Sequence, residues 1–467
     1  MIVELKGHDQ NQSDHYDDTE TIQSAIDKVT ILGGGIVKLR EGFFFSGPLL
    51  LRSMVHLYID AGATLRFIYD MDRYPPVWTR WEGVECWAMQ PLLFAQNSHH
   101  ISISGSGTID GNGSPWWKVL NEARRINRRE PLYPIEQRLA ALNPSYRDQP
   151  SGGGGRELQF LRPPLLQFLH SSNIELRDIT LQNSPFWNTH LVYSNTITIT
   201  NVHFINPHDA PNTDGLNIDS CTDVTVKDCL FDVGDDCLGL KSGAGVDGLR
   251  IGKPTEHVMI HGCTMRGGHG GVVIGSETAG GIRDVSIESC TMIGTDRGLR
   301  IKTRRGRGGT IEDIKLNNCR MEQIICPVVI NCYYGPGGPP PDSPVFSLDP
   351  QPIDITTPHI RNIQIHNLTA LHCKAAAAFI VGLPERPVDT VHLTNSQFYL
   401  SLDTSVSKKE AAMYRGLPEP EGRGIRIRNV NGLFLEAVKV EFPKETEETK
   451  RTLLTEANVH NLIVSET

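Results

Sequence analysis

Short segments in which apolar and polar residues alternate recur along most of the chain. The clearest have their first apolar residue at Ile174, Ile197, Val224, Val258, Val285 and Ile314. Alternation over four to six residues is the pattern of a strand with one buried face. Gly, Asn and Asp turns separate the segments, without a helical period. A strand that returns roughly every 23 to 34 residues without a crossover helix predicts a single-stranded right-handed parallel β-helix, an all-β solenoid.

A second series of segments aligns without gaps and starts at Thr213, Asp235, His269, Asp296 and Ile325. Each contains an apolar pair that has to face the core: Leu216/Ile218, Leu238/Leu240, Val272/Ile274, Leu299/Ile301 and Val328/Ile330. In the first series, a cysteine follows at the same offset in four coils: Cys229, Cys263, Cys290 and Cys319. We expect these cysteines to form a ladder of small buried side chains rather than a metal or redox site.

Three segments depart from the repeat. Residues 17–29 predict a short N-terminal helix that covers the first coil, with an apolar face made by Ile22, Ala25, Ile26 and Val29. Residues 114–161 interrupt the strands with an Arg-rich helical piece at 122–130 and a glycine-rich linker, and residues 335–358 form a proline-rich loop. Long loops on a regular scaffold commonly shape a binding cleft. We therefore expect a single domain over residues 1–467 that carries insertions beside a binding surface.

Composition narrows the classes of partner. The formal net charge of −9 argues against nucleic acid, and no stretch approaches the roughly 20 apolar residues of a membrane span. The N-terminus lacks the pattern of a signal peptide, and the 10 cysteines fit neither a disulfide framework nor a zinc site. We expect a cytoplasmic protein, or a periplasmic or secreted one if a leader was removed. We expect no metal or other cofactor, and the sequence does not indicate the oligomeric state.

Polar residues of the second series supply the candidate chemistry. The strand period of two puts Asp235, His269, Arg300 and Lys302 on one outer face, and Asp214 and Asp236 in one column at the turn that opens the strand. At about 4.8 Å per coil, they span roughly 15 Å. Neighbouring carboxylates tend to keep one proton between them, and glycoside hydrolysis requires a protonated carboxyl with an ionised one. The basic pair suits a substrate that carries carboxylates.

These motifs resemble glycoside hydrolase family 28, the polygalacturonase family. The matching motifs are Asn212-Thr-Asp214, Gly234-Asp235-Asp236, Gly268-His269-Gly270 and Arg300-Ile-Lys302, in the family's order. Residues 107–117 and 183–187 are similar to stretches of bacterial members. The resemblance implies an inverting hydrolase that cleaves α-1,4-galacturonosidic linkages in pectin or oligogalacturonides.

The resemblance also implies a role for each site residue. Asp235 would be the general acid, Asp214 and Asp236 would activate water, His269 would support the acid, Arg300 and Lys302 would hold a galacturonate carboxylate, and Asn212 and Tyr334 would contact the substrate. The stretch from Asp236 to His269 is longer than in fungal endo-acting members, with residues 243–255 as an extra loop. In the family, additions of this kind and of the kind at 114–161 can close one end of the cleft. We therefore expect exo-action.

Three alternatives remain open at this point. A hydrolase of the same family could act on rhamnogalacturonan or xylogalacturonan. A calcium-dependent pectate lyase would share the fold, and the three aspartates could bind the ion. A non-catalytic polysaccharide-binding β-helix would have no need for a protonated acid beside ionised carboxylates.

Overall fold

The computed structural model describes residues 1–9, 16–403, 405–420, 422–443, 454–455 and 457–465. The chain divides into two compact units, Met1–Asp235 and Asp236–Thr467. Each unit is a stack of coils with parallel strands, so the predicted parallel β-helix fold is confirmed. Among the described residues, no helix is both long and apolar enough to cross a membrane. A single domain over 1–467 stays a prediction, and parts of that range lie outside the described residues.

The complete coils of the first unit contribute three strands each. The first series is Ile2–Leu5, Gly35–Leu39, Val55–Ile59, His99–Ser104, Ser172–Arg177, Asn195–Thr200 and Thr222–Lys227. The second series is Gly42–Ser46, Ala63–Phe67, Thr108–Asp110, Thr180–Gln182, His203–Ile205 and Leu230–Asp232. The third series is Leu49–Leu51, Leu93–Gln96, Leu166–Leu169, Thr189–Val192 and Leu216–Asp219. Ile174, Ile197 and Val224 pair in register and are buried, as their alternation predicts.

The second unit continues the same plan. Its first series is Thr255–His261, Ile282–Glu288, Thr310–Asn317, His359–His366, Val388–Leu400, Val430–Glu441 and Val459–Ser465. Its second is Thr264–Arg266, Thr291–Ile293, Arg320–Glu322 and Thr369–Cys373. Its third is Asp236–Lys241, Gly270–Gly275, Arg297–Lys302, Cys326–Asn331, Ala378–Val381, Ile425–Arg428 and Leu454–Thr455. The apolar pairs predicted to face the core in this third series are all fully buried.

The third series of each unit contains the segments that were called the second series in the sequence. The short strands that stand second in each unit were not predicted. Most of these strands are three residues long, with one inward residue such as Leu181, Phe204 or Met292, so no alternation marks them. The cysteines precede these strands and are buried and free, as expected. In the second unit, Cys290 Sγ donates to the carbonyl of Glu288 in its own coil. The cysteine ladder therefore fills the core beside the turn.

The described residues contain four α-helices outside the strand series: α1 (Thr19–Ile31), α2 (Ser114–Arg125), α3 (Pro134–Leu142) and α4 (Gly245–Ile251). Short 3₁₀ helices occur at Met71–Arg73, Tyr146–Asp148, Arg156–Leu158, Pro344–Phe346 and Lys408–Ala411. Helix α1 buries the predicted face. An antiparallel hairpin, Pro76–Trp81 with Val84–Met89, is the one described pair of its kind among the strands.

The predicted helix at 122–130 was wrong in its bounds. Helix α2 begins eight residues earlier, at Ser114, and ends at Arg125. Pro115 in its first turn is pre-organised for a helix start, and Trp116, Leu120 and Ala123 are its buried residues. The basic residues that suggested a helix belong only to its last turn and to the chain that follows. The loop at 335–358 contains no described strand, as predicted.

Candidate active site

Asp214 lies at the turn before the strand Leu216–Asp219 in the first unit, and it is buried. Its Oδ2 accepts a hydrogen bond of 3.0 Å from the side-chain amide of Asn217, which is also buried. Its backbone oxygen accepts from the Asn188 backbone N–H at 2.7 Å. The carboxylate is therefore fixed in orientation by a residue of the following strand.

Asn212 holds a left-handed backbone conformation, with φ of 56°, at the end of the preceding turn. Its Oδ1 accepts from the Nη2 atoms of Arg162, at 3.0 Å, and Arg124, at 3.3 Å. Arg162 is fully buried, and burial lowers its pKa to about 9. Asp235 ends this unit and is half-buried. Its negative charge is near enough to Arg124 to oppose the lowering of the Arg124 pKa by burial.

Asp236 opens the second unit at the start of the strand Asp236–Lys241. Lys302 Nζ lies 2.6 Å from its Oδ2, and Arg300 Nη1 lies 3.4 Å from its Oδ1. Burial favours the neutral acid, but the charges of Lys302, Arg300 and Lys241 outweigh burial and hold the pKa of Asp236 well below its usual range. The two cations in contact with Asp236 therefore favour its ionised form.

The strand Gly270–Gly275 lies between the strand of Asp236 and the strand of the two cations. Gly270 pairs with Asp236, and Gly275 pairs with Lys302. A Cβ at position 270 would lie 3.4 Å from Arg300 Cδ, and one at position 275 would lie 2.3 Å from the Lys302 carbonyl oxygen. A side chain at position 275 would therefore collide with the backbone of the next coil, whereas one at position 270 would only be in ordinary contact with Arg300.

His269 precedes the strand Gly270–Gly275, and its Nδ1 lies 2.9 Å from Oδ2 of Asp296 in the next coil. Burial raises the pKa of Asp296, but the hydrogen bond from His269 and the charge of Arg297 lower it overall. An ionised carboxylate only accepts hydrogen bonds, so the Nδ1 atom of His269 carries a proton and donates it to Asp296. About half of the His269 side chain is exposed.

Tyr334 and Lys241 complete the charged surroundings. The Tyr334 ring centroid lies 5.6 Å from Arg300 Cζ and 5.5 Å from Lys302 Nζ, whereas the neighbouring Tyr333 is fully buried. Lys241 is buried and lies 3.1 Å from a carboxylate oxygen of Glu277. Tyr334 is thus the tyrosine that faces the basic pair, and its contact with substrate stays a prediction.

The structure brings part of the predicted set into contact and adds residues that the sequence analysis missed. Within the second unit, Asp236, Arg300, Lys302 and Tyr334 form one cluster, and His269 joins it because its backbone oxygen accepts from Arg300 at 3.3 Å. The additions are Asn217, Arg124, Lys241, Glu277 and Asp296. Asp296 could have been found, since it occupies the position of His269 one coil later. The roles predicted for the site residues stay predictions.

A metal site would need several anionic or imidazole ligands in one place. Among the described residues, no group of three or more His, Cys, Asp and Glu side chains is arranged to hold a metal ion. The carboxylate of Asp236 has two cationic partners of its own. The arrangement therefore supports acid–base chemistry. Asp236 is the carboxylate that its cations keep ionised, and Asp235 is the acid that precedes it in the sequence.

Comparison with known proteins identifies the family. Residues 152–377, which include the predicted site residues from Asn212 to Tyr334, match the sequence profile of Glycosyl hydrolases family 28. Residues 152–377 of the chain belong to glycosyl hydrolase family 28. The predictions of the family and of a glycoside hydrolase are therefore confirmed. Arg124 lies outside the range matched to family 28.

Known polygalacturonases align with most of this chain. A probable polygalacturonase from Vitis vinifera is 29% identical over 393 residues, which cover 82% of this chain and 71% of the relative. An endo-polygalacturonase from Pectobacterium carotovorum subsp. carotovorum is 29% identical over 336 residues, covering 68% and 72%. The structure of a hyperthermoactive exopolygalacturonase from Thermotoga maritima is 26% identical and superposes with a TM-score of 0.75, covering 94% of this chain and 92% of that one. The names of these relatives include both endo and exo action.

Proposed function

We propose that this family 28 hydrolase cleaves the α-1,4-galacturonosidic linkages of oligogalacturonides with inversion, from the end of the chain. The observation that carries the proposal is the state of Asp236. Lys302 and Arg300 keep this carboxylate ionised, and Asp235 is the residue directly before it in the chain. The names of the relatives support galacturonan as the substrate.

The assignment of acid and base follows from that state. A carboxylate held ionised has no proton to give, so Asp236 acts as a base and Asp235 is the proton donor. Asp235 transfers its proton to the glycosidic oxygen as the bond from that oxygen to C1 of the sugar breaks. Water adds to C1 from the opposite face and loses a proton to Asp236, with Asp214 as the second carboxylate. Between turnovers Asp236 releases its proton to solvent, and Asp235 takes one up from solvent by way of His269.

Exo-action is supported by a segment of the second unit, residues 405–415, which we call the strap. The strap lies over the strand Arg297–Lys302. Arg297 Nη2 donates to the carbonyl of Glu410 at 2.6 Å, and Arg300 Nη2 lies 3.1 Å from Met413 Sδ. A wall beside Arg300 would stop a long polymer from continuing past this residue. The likeness to the exopolygalacturonase from Thermotoga maritima points the same way.

The substitution Asp235→Asn tests the catalytic assignment. We expect it to lower turnover of trigalacturonate by at least about three orders of magnitude while the substrate still binds, because an amide cannot supply the proton. Asp228→Asn, at an exposed aspartate of the same unit, is the matched control and should leave turnover unchanged. Reducing ends measure turnover, calorimetry measures binding, and proton NMR of the first product gives the anomer. Unchanged hydrolysis by Asp235→Asn, or a retained anomer, would reject the assignment.

Product analysis separates the remaining alternatives. Oligogalacturonides labelled at the reducing end should shorten by a constant small step under exo-action, whereas endo-action would give labelled products of many lengths at once. Adding EDTA should not change the rate, and no ultraviolet-absorbing unsaturated ends should form. Unsaturated products that disappear with EDTA would show a lyase instead.

A further inference from the structure

The insertion in the first unit brings a basic side chain to the predicted substrate-binding residue Asn212. Arg124 lies in the last turn of α2, and its Nη2 donates to Asn212 Oδ1 at 3.3 Å and to the carbonyl of Gly153 at 2.7 Å. The residue is exposed to solvent. A guanidinium group supplied by an insertion thus lies beside a motif of the repeat.

Arg124 is held from two sides. Trp116, Leu120 and Ala123 are buried and fix the helix that carries it. On the other side, the two carboxylate oxygens of Glu82 accept from the backbone N–H groups of Gly152 and Gly154, both at 2.8 Å. The carbonyl of Gly153 is therefore fixed where Arg124 meets it. This is a built position rather than a loose surface arginine.

The guanidinium of Arg124 keeps donors for a ligand. Both of its hydrogen bonds to described residues come from Nη2, so its Nε and Nη1 groups have no acceptor among the described residues. Asp235, the proposed proton donor, is close enough for the two charges to interact. A planar guanidinium with adjacent free N–H groups matches a carboxylate in a bidentate arrangement.

Arg162, the second arginine at Asn212, does not share this property. It is fully buried, and its terminal nitrogens donate to the carbonyls of Pro185, Pro211 and Gly154 as well as to Asn212. These contacts secure the backbone around the motif. The exposed Arg124 is therefore the cation of this unit that a sugar acid can reach at Asn212.

We propose that Arg124 binds the carboxylate of a galacturonate unit next to the scissile linkage and so makes the enzyme specific for unesterified substrate. This inference rests on the proposed function, because it assumes a substrate with a carboxylate on each sugar. Arg124 acts here as a specificity-determining residue and takes no part in proton transfer. The strand repeat would thus supply the catalytic acids, and the insertion would supply Arg124, which selects the substrate.

The test compares trigalacturonate with its methyl ester in Arg124→Gln. We expect KM for the acid to rise about tenfold to a hundredfold, because a charge-assisted hydrogen bond is lost. KM for the ester should change by less than about twofold. Arg124→Lys should recover part of the affinity for the acid. Arg125→Gln is the matched control, since the neighbouring Arg125 is exposed and pairs with Glu122 on the same helix. It should leave both constants unchanged.

Four results would overturn the inference. An equal loss on acid and ester would show that Arg124 only supports the structure around Asn212. A shifted basic limb of the kcat profile with unchanged KM would show that it acts only through the charge of Asp235. A wild-type enzyme that is inactive on every galacturonate oligomer would reject the proposed function as well, whereas an active wild type with an unaffected Arg124→Gln variant would reject this inference alone.

Discussion

The substitution Lys302→Met tests the physical basis of the proposed base. Lys302 Nζ lies 2.6 Å from the Asp236 carboxylate, and both side chains are nearly inaccessible to solvent. At an effective dielectric constant of about 20, two unit charges at that distance attract by about 6 kcal/mol, which corresponds to about four pKa units. Methionine keeps a long unbranched side chain and removes the charge.

The expected result is an acid limb at higher pH. Burial raises the pKa of Asp236, and without Lys302 only Arg300 and Lys241 oppose burial. The pKa of Asp236 then returns from well below its usual range to that of an ordinary carboxyl or above. A base works only in its ionised form, so activity is present above its pKa and is lost as the pH falls through it. Raising the pKa therefore moves the loss of activity to higher pH.

The assay is the pH dependence of kcat/KM, which reports the groups of the free enzyme. If Lys302 only bound the substrate, Lys302→Met would lower kcat/KM at every pH without moving the acid limb. The assay therefore separates substrate binding by Lys302 from its effect on the pKa of Asp236. Lys315→Met, at an exposed lysine of the same unit, is the control. An acid limb that stays where it is in the wild type, or moves to lower pH, would refute the idea that Lys302 keeps Asp236 ionised.

Two further variants test the contacts around the site. Asp296→Asn should lower kcat about tenfold to a hundredfold, because the His269 imidazole loses a charged hydrogen-bond partner, while Asp284→Asn at an exposed aspartate should not change kcat. Equal kcat in both variants would contradict a role for the His269 contact. Arg80→Met should lower the free energy of unfolding by about 3 to 5 kcal/mol in urea titrations, since it leaves Asp219, its fully buried partner at 2.7 Å, without that countercharge. A loss under about 1 kcal/mol, the value of an exposed pair, would contradict this expectation.

The strand columns could be predicted because side chains of a strand alternate between two faces. Once Leu238 and Leu240 are assigned inward, the faces of the neighbouring residues follow, and the register of later coils repeats the assignment. The three-residue strands lack this information, since Leu181 alone carries no period. The short helix α4 likewise has only one buried residue, Gly248, so no apolar face marks it in the sequence.

The contacts of the site were less predictable than its location. The sequence placed Arg300 and Lys302 near the acids but assigned them to a substrate carboxylate, whereas in the structure both contact Asp236. That contact depends on how far the Arg300 and Lys302 side chains extend across the strand Gly270–Gly275. The period of a strand contains no information on side-chain length. The contact of Arg124 with Asn212 could not be predicted from the sequence for a different reason. An insertion has no register with the repeat, so its spacing in the sequence does not indicate which coil it meets.

The acidic net charge is compatible with a strongly basic site because the net charge is a sum over the whole chain, whereas the site depends on the charges close to it. The basic residues of the stretch 297–307 are each at most 8% exposed: Arg297, Arg300, Lys302, Arg304, Arg305 and Arg307. The side chains of the first five of these each contact a carboxylate or a carbonyl oxygen. A charge count weights them equally with exposed residues, although buried charges are screened much less by water and salt. The field at Asp236 is therefore set by Lys302 and Arg300 rather than by the net charge of −9. An acidic protein can in this way present a local positive field to an anionic sugar.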